Sequence, residues 1–438
     1  MHNYLYHCGI LQHMAIQEET SPEDAHSVWP KYGLRESPFT TGPTTLLSSL
    51  PIGKVFSGRT EETTKLLRII CSSNNTRTFI SGNFGVGKTT FSNYIRWKLC
   101  IERQSKAHHV TTSTEIKAQS AWGSKEFLLA TLSAVYTSSL IFRWDQHGLK
   151  LPALARIGDY VAIGTQKAVQ GSIAGTGVGV SSTKSVPGAI SPEIYEELLR
   201  ALSQELLAQG KQLILPYDNL ENIDSMHLAD FFRMIRDYLQ IEGIHFIFMG
   251  PPSCLGALET YPQAHSTFSQ PIVLGPLNSY HVLEILKKRC NSLTIPEGTY
   301  LSPYEETTVT WLYETLNNIR FAFKVLEDTM LSTEQQAPCK ITMHEIKAVQ
   351  EKEKQAIFST LTQHETKIIT ILLDVTGKIT MTDLAQRTGI LPTNLRHPIK
   401  DLLDKGLITI TTSDKDRRKK YVRISDNTYL RLFYSTSK

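Results

Sequence analysis

Apolar positions along this chain change their spacing twice, and each change marks a different kind of structure. Between residues 55 and 275, short apolar runs alternate with stretches whose apolar residues recur every three or four positions. The runs Thr78–Ile80, Gln212–Leu215, His245–Met249 and Ile272–Leu274 are brief and β-leaning, as suits strands buried on both faces of a parallel sheet. The stretches between them predict helices on both sides of that sheet, an α/β fold. From Ser279 the spacing is helical throughout: Ser279–Arg289, Glu305–Leu316 and Ile319–Leu331 predict a small helical lid without strands. Polar Ser332–Pro338 then leads to a charged helix over Thr342–Phe358. In the last stretch both spacings return. Glu365–Leu373, Met381–Arg387 (stopped by Gly389) and Asn394–Asp404 (after Pro392, ending at Gly406) read as three helices. Leu407–Thr412 and Tyr421–Ile424 read as strands around a charged tip, which makes this region a winged helix-turn-helix. Pro398 removes a backbone donor inside the third helix and predicts a kink or a later start.

These changes divide the chain into a flexible lead-in (1–30), a base (31–275), a helical lid (276–336), a linking helix (337–360) and a winged-helix domain (361–438). Residues 159–190 interrupt the base with six glycines among small and β-branched residues, and are expected to form a flexible hairpin or loop. Gly175-x-Gly177-x-Gly179 has no charged helix entry after it, so it is a weak second phosphate loop.

The chemistry concentrates where the first strand meets its helix. Gly82-Asn83-Phe84-Gly85-Val86-Gly87-Lys88-Thr89, followed by Thr90, fills G-x-x-x-x-G-K-[ST] without a mismatch. The glycines let backbone N–H groups wrap a polyphosphate, Lys88 adds charge at its outer end, and Thr89 offers a hydroxyl to Mg2+. Such a loop needs a carboxylate at the end of a neighbouring buried strand to hold the metal's shell, and Asp218 ends the run Leu213–Tyr217. Asp218 and Thr89 are therefore the expected metal-side pair, with ATP as the cofactor. Hydrolysis also needs a group that orients water. Asn219 cannot take a proton, and Glu221, two positions further on, is the nearest carboxylate. Slow turnover is expected, with ATP used as a switch.

Composition narrows the setting. The 438 residues are 41% hydrophobic and 20% charged, and no stretch of eighteen apolar residues stands ready to span a bilayer. With no secretion signal and six scattered cysteines, a cytoplasmic protein with reduced thiols is expected. No histidine spacing points to a metal, and His108-His109 reads as surface. The net charge of +4 is too small to imply a nucleic-acid partner, so its distribution matters more. Six basic residues against two acidic ones fall between Asp414 and Arg423. The expected face for double-stranded DNA is Thr393, Asn394, Arg396, His397 and Lys400 on the third helix, with Arg417, Arg418, Lys419 and Lys420 on the wing.

With these motifs in place, the chain resembles the AAA+ ATPases, and among them the origin-recognition and initiator group of archaea and eukaryotes. Val55-Phe56-Ser57-Gly58-Arg59-Thr60-Glu61-Glu62 looks like the box that lines the adenine pocket in that group, which would make Arg59 a nucleotide contact. Asn318-Ile319-Arg320-Phe321-Ala322 resembles the lid helix that carries a sensing arginine, which would place Arg320 near the γ-phosphate and among the catalytic set of Lys88, Asp218 and Glu221. Pro276-Leu277 resembles the base-to-lid junction, and Ile341-Thr342 the approach to the winged domain. Two departures accompany the likeness. The strand ending at Met249 is followed by Gly250-Pro251-Pro252-Ser253, where Ser253 is the nearest stand-in for the usual polar sensor. His265–Gln270 holds no arginine that could act on a neighbouring subunit, leaving Arg233 and Arg236 as the candidates for that role in a homo-oligomer. The resemblance implies an ATP-dependent DNA-binding protein of the replication-initiator type. The alternatives are a STAND-like signalling or defence switch, a transposition-helper ATPase, and a nucleotide-sensing transcription regulator.

Overall fold

The computed structural model describes residues 27–102, 107–161, 191–259, 266–296, 298–333, 338–375, 377–412 and 419–433. The lead-in before residue 27, most of the glycine-rich insertion (162–190), and Arg417 and Arg418 lie outside them.

Six parallel strands form the central sheet: β1 (Thr76–Gly82), β2 (His109–Thr111), β3 (Ile116–Lys117), β4 (Gln212–Asp218), β5 (Ile244–Gly250) and β6 (Ile272–Leu274). The order is β2-β4-β5-β1-β6, with β3 also pairing on β4. The four strands expected from the sequence are present, while β2 and β3 are too short for a two-residue alternation to show. Side chains divide strictly between the two faces. Phe79, Leu213, Leu215, Tyr217, Phe246 and Phe248 enter one core, and Ile80, Ile214, Ile247, Met249, Ile272 and Leu274 enter the other. Pro216 falls between the β4 residues that pair with β2 and those that pair with β3, where a missing N–H disturbs the outer ladder least.

His109 corrects the sequence reading. His108 is exposed, but His109 is buried, because pairing of β2 with β4 turns its ring inward beside His245, 5.3 Å away. His245 bonds Thr76 Oγ1 and Gln212 Oε1, each at 2.9 Å, and burial pushes His109 down to about 4 and His245 to about 3.

Helices Ser279–Leu293, Glu306–Leu316 and Ile319–Ser332 build the lid. Their core also takes Trp29, Tyr32, Leu34, Phe39 and Leu50, so the described N-terminal stretch packs against the lid. Tyr32 fastens it by donating to the Cys339 carbonyl (2.8 Å) and accepting from the Cys339 N–H (3.1 Å).

Helix Met343–Ser359, opened by a Thr342–Glu345 capping box, carries Ile346 into the lid core and Ile357 into the next core. Three helices follow (Gln363–Asp374, Met381–Thr388, Pro392–Asp404), with a small sheet of β7 (Ile379–Thr380), β8 (Ile408–Thr412) and β9 (Lys420–Ile424). This is a winged helix. The third helix runs through Pro398 from Pro392, so no later start occurs; the Asn394 carbonyl simply loses its helical donor. A last helix, Asp426–Leu432, folds back, placing Leu432 in the winged-helix core and Phe433 in the lid core. No helix among the described residues is long and apolar enough to cross a membrane.

Candidate functional site

Base and lid meet around an open cleft of about 1050 Å³, and the loop between β1 and helix Lys88–Cys100 forms one end of it. The loop's glycines are there for stated reasons. Gly85 (φ 76°) and Gly87 (φ 96°) occupy the left-handed region, and a Cβ on Gly85 would strike the Asn318 side chain. A Cβ on Gly82 would come within 2.8 Å of the Leu274 carbonyl oxygen.

Lys88 Nζ donates to the carbonyls of Gly82 (2.9 Å) and Asn83 (3.2 Å), so the loop itself holds the ammonium group. Burial lowers its pKa, opposed by the nearby charges of Glu221 and Asp218. Thr89 Oγ1 donates to Asp218 Oδ2 at 2.6 Å, and the Asn219 N–H donates to Asp218 Oδ1 at 2.9 Å. Asp218 is buried at the C-terminal end of β4, beside the loop, where open α/β sheets place their ligands. A hydroxyl and a carboxylate oxygen in contact, beside a glycine cradle and a lysine, form a donor set that fits a magnesium-bound polyphosphate. Asn219 takes a left-handed turn (φ 60°) into the short helix Leu220–Asn222, and both Asn219 and exposed Glu221 line the cleft.

The lid reaches this end directly. Asn318 caps helix Ile319–Ser332 by accepting from the N–H groups of Arg320 (3.0 Å) and Phe321 (3.2 Å), while its Nδ2 donates to the Phe84 carbonyl (2.9 Å). The Arg320 guanidinium lies 4.6 Å from the centre of the Phe84 ring. Arg320 therefore sits at the cleft, resting on the phosphate loop. Arg59, also left-handed (φ 62°), lines the cleft as well, but its guanidinium is turned to the Gly275 and Val86 carbonyls and to Glu62.

The cleft's other end is apolar: Val55 and Leu277 belong to the two segments that the resemblance singled out, whereas Ile285, Phe323 and Thr40–Thr44 are residues to which no motif pointed. Lid periodicity could have flagged Ile285 and Phe323; nothing in the sequence marks Thr40–Thr44. Three other expected residues stand apart. Ser253 is exposed on helix Pro252–Glu259 and does not line the cleft. Arg233 and Arg236 are exposed and do not line the cleft, and Arg233 pairs with Asp230 at 2.5 Å.

On the winged helix, Thr393, Asn394, Arg396, His397 and Lys400 are all exposed along helix Pro392–Asp404, while Leu395, Ile399 and Leu402 anchor its other face. His397 Nδ1 lies 3.1 Å from Asp401 Oδ2. Lys419 and Lys420 are exposed at the start of β9, and Lys378 lies over the Tyr421 ring on the same small sheet.

Residues 59–257 match the KAP family P-loop domain, and residues 359–419 match the MarR family. Among solved structures, the chain is similar to the ORC2 protein of Aeropyrum pernix in its ADPNP–ADP complexes, at 16% identity and a TM-score of 0.46, covering 86% of this chain and 91% of that one. It is similar to the Aeropyrum pernix ORC1 protein in complex with DNA at 13% identity and a TM-score of 0.46, covering 91% and 96%. Drosophila ORC bound to DNA is a further match, at 12% identity and a TM-score of 0.37, covering 97% and 95%. No curated protein matches the chain by sequence.

Proposed function

We propose that this protein, a P-loop NTPase joined to a winged helix, is a nucleotide-controlled DNA-binding protein of the initiator type. Nucleoside triphosphate, ATP on this reading, occupies the cleft with its phosphates on the loop 82–89. Lys88 and the loop N–H groups bind the phosphates, and Thr89 and Asp218 would hold Mg2+, which would supply positive charge against the triphosphate. Arg320 contacts the outermost phosphate after leaving the Phe84 ring. Glu221 polarises water from a position set back from Asp218, and Asn219 cannot take up a proton, so turnover is slow and binding itself is the signal.

One observation carries the link to DNA. Helix Ile319–Ser332, about 21 Å long, begins on the phosphate loop and packs against both Met343–Ser359 and Asp426–Leu432, the helices that seat the winged domain. A shift of Asn318 and Arg320 at the cleft is thereby passed on to the elements beneath the winged helix. The exposed face from Thr393 to Lys400 enters the major groove, and the wing, with Lys419 and Lys420, follows the phosphates.

The test is duplex-DNA binding with and without ATP. ATP should change the affinity several-fold in the wild type. Changing Arg396, Lys400, Lys419 and Lys420 together to Glu should abolish DNA binding while ATP binding persists. DNA affinity indifferent to ATP would favour a transcription regulator with an ancillary nucleotide site. Absence of DNA binding would favour a signalling switch.

A further inference from the structure

A strap of irregular chain, residues 38–44, crosses between lid and base at the apolar end of the cleft, and each of its ends is fixed to a different wall. On the lid side, Arg289 Nη1 donates to the carbonyls of Pro38 (3.2 Å) and Thr40 (2.8 Å). On the base side, Asn93 Nδ2 donates to the Thr44 carbonyl (3.1 Å). Asn93 stands on the phosphate-loop helix and is itself held by Arg96, a fully buried cation paired with Glu115 at 3.1 Å. Between these anchors, Thr40, Thr41, Gly42 and Pro43 line the cleft.

Arg289 is an expensive anchor. It is 7% exposed, its Nε has no hydrogen-bond partner, and among the described residues no acidic side chain pairs with it. Burial brings its pKa down to about 10, and its guanidinium stacks on Phe323, 5.0 Å away. A buried cation without a counter-charge costs stability, and a Met or Leu would fill the same space more favourably. What the guanidinium does that an apolar chain cannot is hold two strap carbonyls in fixed positions from one nitrogen. The strap has no helix or sheet ladder to fix its shape, so it depends on such outside holds. The stretch it controls lines the same cleft as the phosphate loop, together with the apolar Val55, Leu277, Ile285 and Phe323, which suit the nucleoside that a phosphate chain seated on the loop would carry.

We infer that Arg289 is a positioning residue for the nucleoside: it sets the strap 38–44 as the wall against which a purine base and its ribose rest. Affinity for the nucleoside part depends on Arg289, and affinity for the phosphates does not. The inference rests on the cleft taking a nucleoside triphosphate.

The experiment compares binding of ATP and of inorganic tripolyphosphate, both with Mg2+, to the full-length chain by calorimetry. Wild type should bind both, with ATP the tighter. Arg289→Met should weaken ATP tenfold or more while tripolyphosphate stays within about twofold, and Arg289→Lys should recover part of the ATP loss. Because Arg289→Met removes a buried group, a second variant leaves the lid core intact: Thr41→Gly with Pro43→Gly, which loosens the strap from its exposed side. It should weaken ATP about threefold and leave tripolyphosphate unchanged. Parallel losses of both ligands, or no loss of ATP in either variant, would overturn the inference while the nucleotide reading stands. A wild type that binds neither ligand would overturn both.

Discussion

The two ends of the cleft are built by opposite means. At the phosphate-loop end, nine consecutive residues from Gly82 to Thr90 supply the cradle, and one outside side chain, Asp218, completes it. At the apolar end no two neighbouring residues suffice: the wall combines residues 40–44, 55–57, 277–289 and 319–323 from base, lid and N-terminal stretch. The first end exists once β1, the helix after it and the end of β4 have formed, whereas the second exists only when base and lid are docked. The phosphate cradle is thus local in sequence, and the apolar end is spread over base, lid and N-terminal stretch.

The largest effect expected from any perturbation lies at neither end and serves as the control for both. His109 and His245 are neutral when folded, with pKa values of about 4 and about 3, and take up protons more readily once unfolded. Stability is therefore complete above about pH 6.5 and falls as the pH drops towards 4, with His109 alone accounting for roughly 3 kcal/mol. Thermal melts from pH 7 to 4 check this, and His109→Gln should flatten the slope. Next comes Lys88→Ala. At a hundredfold excess of ATP over its dissociation constant, wild type should gain about 2.7 kcal/mol of stability and the variant almost none. A variant that keeps its thermal shift would mean that the apolar end dominates binding. The smallest effect belongs to the junction of the two ends. Phe84→Leu removes the ring beneath Arg320 and keeps the carbonyl that Asn318 holds. The stacking contributes about 1 kcal/mol, so freeing Arg320 should tighten ATP up to about fivefold and leave ADP unchanged, as competition binding would show.

Legibility in the sequence follows the same division. The phosphate loop, Asp218 at a strand end and the three lid helices were readable because each is a local pattern of letters or of periodicity. The strap was not, since Thr40–Thr44 forms no regular element and its importance comes from Arg289, some 250 positions away, where periodicity shows only one more turn of a lid helix. Strands β2 and β3 are too short to show an alternation, and His109 reads as a surface residue because only pairing with β4 turns its ring inward. The last helix, seven residues long, gives too few turns to establish a spacing.

That last helix has a practical consequence. Leu432 and Phe433 are neighbours in sequence that belong to different hydrophobic cores, and Arg431 is bound to Glu353 on the linking helix. A fragment cut out to study the winged helix by itself would carry Phe433 stripped of its lid neighbours, a greasy scar inviting self-association. Trimming the tail to avoid that would unpin Leu432 in turn. Whoever dissects this molecule must leave the winged helix and the lid in one piece.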